Sequence, residues 1–107
     1  MIYRNPLTTE HRYAVATGTN AEISIGGVPG VHYAIGQIIA SYNADITGTL
    51  SVVQGGETIF STSIVSAGPA PLIFDPMFPL ESDEDATIVL AGSPNVVGSL
   101  FAQIGRV

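Results

Sequence analysis

The sequence predicts an all-β domain: an antiparallel, jelly-roll-like β-sandwich of about seven or eight strands over residues 13–107, preceded by an extended N-terminal arm over residues 1–12. Three observations carry that expectation. No window of about 11–18 residues places apolar side chains at helical spacing. β-Branched residues dominate the apolar set, which suits a pleated surface. Glycine- and proline-rich breaks recur about every eight to twelve residues, the rhythm of a sandwich.

Each element follows from its local pattern. Ala21, Ile23 and Ile25 alternate with Glu22 and Ser24, so they form an inward row that ends in the loop Gly26-Gly27-Val28-Pro29-Gly30. The run from Val31 to Tyr42 places Tyr33, Ile35 and Ile39 on one face and His32, Ala34, Ile38 and Tyr42 on the other. Both faces are apolar, which predicts cover on both sides, and Gly36 marks a bulge or a close backbone approach. Ile46, Gly48, Leu50 and Val52 form the next inward row, with Thr47, Thr49 and Ser51 outward. Gly55-Gly56 between two alternating runs predicts a tight hairpin, because a primed two-residue turn needs positive φ at both central positions. The returning strand spans 57–65 and closes at the small-residue and proline stretch 66–71.

Leu72-Ile73-Phe74 is a short strand, and Pro76 and Pro79 turn the following residues into a corner with Phe78 and Leu80 tucked inward. The acidic stretch Glu81-Ser82-Asp83-Glu84-Asp85 is a solvated turn. Ala86, Ile88 and Leu90 face inward on a strand that ends at Gly92-Ser93-Pro94-Asn95. The last strand points Val96, Gly98, Leu100, Ala102 and Ile104 inward and Val97, Phe101 and Val107 outward.

Charge narrows the functional classes. The 107 residues contain nine acids, three basic residues and no cysteine, for a net charge of −6, and only 11% are charged. Soluble surfaces usually carry about 25–35% ionic side chains. The shortfall is made good by Ser, Thr, Asn and Gly, or by apolar groups hidden against another chain. Apolar outward rows favour the second option. The oligomer contacts expected on this basis are Ala34, Ile38, Val97, Phe101 and Val107. The acidic balance argues against nucleic acid as a partner, and no apolar stretch is long enough to span a membrane by helix. No secretory leader is expected from the opening residues. The segment 1–12 contains two of the three arginines and a single acid, so it resembles an arm that docks on something.

No residue set satisfies the geometry of a catalytic centre, so the chain is expected not to be an enzyme, with no catalytic, cofactor-binding or metal-binding residues. Glu81 to Asp85 lacks the glycine turn that folds a loop around calcium, and clustered carboxylates on one turn do not provide the separation glycoside hydrolysis requires. His11 and His32 are not in a metal-ligand spacing, and His32 is expected to be packed or at an interface. No nucleophile elbow and no phosphate-binding lysine loop occurs. Tyr3, Tyr13, Tyr33 and Tyr42 offer stacking surfaces, which leaves carbohydrate contact open.

The order of segments resembles the small β-sandwich structural proteins of tailed-phage virions, particularly head-decoration proteins. The similarity runs through the arm, the Thr-Gly-Thr-Asn opening at 17–20, the Thr-Gly-Thr-Leu-Ser-Val strand at 47–52 and the Gly-Glu-Thr-Ile-Phe return at 56–60. It continues through the Pro-Leu-Ile-Phe-Asp-Pro crossover at 71–76 and the closing Val-Gly-Ser-Leu-Phe-Ala-Gln-Ile at 97–104. The resemblance implies a non-enzymatic virion protein, made in the host cytoplasm, that binds the head surface as a homotrimer and reinforces contacts of the major capsid protein. In that setting Tyr3, Arg4 and Arg12 of the arm would dock on the shell. The alternative is a carbohydrate- or receptor-binding β-sandwich module working through its loops and tyrosines.

Overall fold

Eight strands make up the described part of the chain, residues 8–64 and 70–106 of a computed structural model. They are β1 (Thr8–Thr17), β2 (Ala21–Ile25), β3 (Tyr33–Tyr42), β4 (Gly48–Gln54), β5 (Glu57–Ile64), β6 (Ala70–Pro79), β7 (Ala86–Leu90) and β8 (Val97–Arg106). The first sheet has the order β1-β8-β3-β6 and the second β2-β7-β4-β5, with every pairing antiparallel. Only the β4–β5 hairpin keeps consecutive strands in one sheet. Every other connection crosses between sheets, as the strand order of a jelly roll demands.

The core lies between the sheets and follows the alternation of the sequence. Ala21, Ile23 and Ile25 of β2, Leu50 and Val52 of β4, and Ala86, Ile88 and Leu90 of β7 are buried against Leu100, Ala102 and Ile104 of β8. Two devices close the open sides. On one, the rings of Phe60 on β5 and of Phe74 and Phe78 on β6 meet at centroid distances of 5.5–5.9 Å. On the other, the Arg12 guanidinium on β1 donates to the Ser24 carbonyl on β2 and pairs with Glu10 at 3.1 Å.

The hairpin at Gly55-Gly56 has the expected geometry, with φ of +61° and +79°. The bulge at Gly36 is also present, as a register shift between Ile35 and Gln37. Its consequence corrects the expected faces of β3. One extra residue reverses the alternation, so Ile35 and Ile38 share the inner face with Ala40 and Tyr42. Ile38 is therefore a core residue and not an oligomer contact. Ala34, between Gly105 of β8 and Pro79 of β6, is fully enclosed within the molecule and is not available to a neighbour either.

Two further expectations are corrected and a third is narrowed. Residues 8–12 belong to β1, paired along its length with β8, so Arg12 is a strand residue tying the two sheets and not part of a free arm. The prolines of 70–79 lie within a single strand, tolerated because β6 is at the edge of its sheet and breaks register with β3 between Ile73 and Phe78. His32 is exposed, which removes the packed alternative and leaves the interface one. Tyr3, Arg4 and Val107 lie outside the described residues.

Candidate binding surface

The outer face of the first sheet carries the most exposed apolar surface among the described residues. Tyr13 is 74% exposed, Val15 67% and Ile73 74%. Strand pairing lines them up in rows. Tyr13 is opposite Phe101, which is opposite Ile39, and Pro71 completes that row. One row toward the β1 C-terminus, Val15 is level with Ser99 and Ser41. On the other side, His11, Gln103, Gln37 and Ile73 form a parallel row. The Phe101 ring stacks on His11 at 5.4 Å and 30°, and the Tyr13 ring leans on it at 5.4 Å and 55°.

Between these side chains lies a trough of about 150 Å³, lined by Tyr13, Val15, Ile39, Ser41, Ser99, Leu100 and Phe101. No charged side chain stands in these rows, on a chain of net charge −6. The second sheet presents a different outer surface. Thr49, Ser51, Ser61 and Ser63 of the hairpin, with Ser24 and Thr87 beside them, give it a hydroxyl-rich face in which Val53 and Val89 are the half-buried apolar members.

The acid-rich loop lies elsewhere, at one end of the sandwich, and is pinned from below. The buried amide of Gln54 donates to the Glu81 carbonyl at 2.9 Å and to that of Glu84 at 3.2 Å, and its oxygen accepts from the Glu81 N–H at 2.9 Å. The Gly27 N–H donates to Asp85 Oδ1 at 2.7 Å. Glu81, Asp83 and Glu84 are exposed, and the Glu84 carboxylate lies over Gly55 of the β4–β5 turn. Among the described residues, no group of three or more His, Cys, Asp or Glu is placed to hold a metal ion.

Of the residues expected to meet a neighbour, Val97 and Phe101 are on this outer face, half-exposed, and Ala34 and Ile38 are enclosed. Sequence reasoning missed His11, Tyr13, Val15, Ile39 and Ile73 as members of the face. The signal was present in β1, where Ala14 and Ala16 alternate with Tyr13 and Val15. The smaller residues pack inward and the larger apolar ones outward, the reverse of the usual order.

No protein-family model and no curated protein sequence matches the chain. Solved structures resemble it in fold. The CBM36-1 domain of a multidomain xylanase from the hindgut metagenome of Trinervitermes trinervoides superposes with a TM-score of 0.52 at 12% identity, covering 97% of this chain and 90% of that domain. A CBM4 structure matches with a TM-score of 0.54 at 18% identity, over 89% of this chain and 71% of that one. The carbohydrate-binding module CBM36 in complex with calcium and xylotriose gives 0.50 at 12% identity, over 100% and 98%. The class that fold and comparisons define is the jelly-roll β-sandwich domain, an architecture shared with carbohydrate-binding modules. At these identities the likeness is one of fold.

Proposed function

We propose that the chain is a non-enzymatic structural module that works by protein–protein assembly through the outer face of its first sheet. The observation supporting this reading is the set of uncharged rows around Phe101, which leave Tyr13, Val15 and Ile73 mostly in water. Contiguous apolar surface of that kind marks interaction sites, and aliphatic side chains such as Val15, Ile39 and Ile73 suit a protein partner. The order of segments at 17–20, 47–52, 71–76 and 97–104 suggests the setting, the head surface of a tailed phage, with Tyr3 and Arg4 contacting the capsid shell.

The second reading is a carbohydrate-binding module. Two observations favour it: Tyr13 and Phe101 flank a trough that also offers the hydroxyls of Ser41 and Ser99, and carbohydrate-binding modules share the fold. Aromatic faces with adjacent polar groups suit a sugar ring. A glycan array run beside co-sedimentation with empty tailed-phage heads separates the two. The structural reading expects pelleting with heads, lost in Phe101→Asp, and a blank array. A saturable glycan signal that Tyr13→Ala abolishes would overturn it in favour of the module.

A further inference from the structure

We infer that the occupant of the outer face of the first sheet is a second copy of this chain, docked about a two-fold axis to give a face-to-face dimer. The inference rests on the assembly reading above and names its partner. Three arguments support it. The first is area. Three strands of ten residues, β1, β8 and β3, with the 70–73 end of β6 beside them, at about 4.8 Å spacing and about 3.4 Å rise, span about 14 by 34 Å plus about 5 by 14 Å. Two such faces bury roughly 1,100 Å² together, just above the roughly 1,000 Å² that a specific interface should clear.

The second argument is electrostatic. Two copies each of net charge −6 repel, and the rows around Phe101 carry no carboxylate. A contact there brings the molecules together while leaving the acids of the 81–85 loop and of the second sheet in solvent, where salt screens them.

The third is symmetry. A ring of three requires two different complementary patches on every chain, whereas a two-fold contact needs one self-complementary patch. Among the described residues, only this face gathers several strongly exposed large apolar side chains. The remaining ones, Val28 and Ile59, are 43% and 39% exposed. The face is also shaped for self-contact, with Ile73 projecting from one row and the trough beside Tyr13 open in another. The trimer expected from the resemblance thus gives way to a dimer.

Sedimentation velocity on the full chain across a micromolar concentration series tests this directly. The wild type is expected to move from one to two chain masses as concentration rises. A central hot-spot ring is worth roughly thirtyfold in affinity, and the two-fold counts it twice, so Phe101→Asp raises the dissociation constant by roughly a thousandfold. Ile73→Asp, at a side chain already mostly in water, has the same direction and keeps the test valid if Phe101→Asp fails to fold. Ile59→Asp on the second sheet leaves the dimer intact. A monomeric wild type at the highest concentration, a three-chain mass, or a dimer that survives both Phe101→Asp and Ile73→Asp overturns the inference. Head binding that Phe101→Asp abolishes in a monomeric wild type would remove the dimer but keep the assembly reading, so the two fail separately.

Discussion

The Tyr42 hydroxyl donates to the Ala91 carbonyl at 2.6 Å and ties the end of β3 to the loop that follows β7. Gly48 lies against the same hydroxyl, so closely that a side chain there would collide with the ring. Burial raises the Tyr42 phenol above its ordinary value of 10.0 because the ionised form loses solvation. The sign follows: folding favours the protonated phenol, so its contribution is intact below about pH 10 and is lost as pH rises through the folded value. Tyr42→Phe is expected to cost about 1–2 kcal/mol at neutral pH. It should also remove part of the alkaline loss of stability, measured as melting temperature against pH. Gln54 shows the same economy with an amide, whose three hydrogen bonds hold the acidic loop to the sandwich. Gln54→Leu leaves the Glu81 N–H without that partner and is expected to cost about 1–3 kcal/mol. Amide exchange at Glu81 should accelerate more than exchange at Leu100.

At the scale of elements, the β4–β5 hairpin depends on its two glycines and β3 on its bulge. A side chain at Gly56 meets nothing within 4 Å, yet φ is +79°. Gly56→Ala therefore isolates the backbone term, and chemical denaturation should show a loss of about 1–2 kcal/mol with an unchanged denaturant slope. The bulge at Gly36 has the opposite character: it is a register device. It allows a strand with apolar residues on both faces to turn Ile35 and Ile38 toward the core on either side of the irregularity. Ile39 then remains for the outer surface, level with Phe101. The composition of that surface thus depends on one inserted residue in a central strand.

At the scale of the whole molecule, the two outer faces divide the labour. The second sheet mixes hydroxyls with Val53, Val89 and Ile59, and the first carries the most exposed ring and branched aliphatics, so the assembly reading puts the partner on the first. If the folded dimer is the associating species, mass action makes the melting temperature rise with protein concentration. Calorimetry over a concentration series should show that rise in the wild type and in Ile59→Asp, and a flat response in Ile73→Asp. Added salt should strengthen association modestly by screening the net charge of −6.

What was legible in the sequence was set by short-range physics. Alternation at 21–25 and 86–90, the Gly55-Gly56 turn, the inward row of β8 and the bulge at Gly36 each depend on side-chain periodicity or backbone freedom within a few residues. Phe101 and Val97 could be placed outward on the same grounds. Tertiary structure alone decided which strands became neighbours, because β1 finds its partner β8 about ninety residues away and no local rule encodes that pairing. That pairing turns Arg12 from an arm residue into a tie between the sheets and places Tyr13 beside Phe101. The same long-range assembly joins Ile39 and Ile73 to them and turns separate apolar residues into one continuous face.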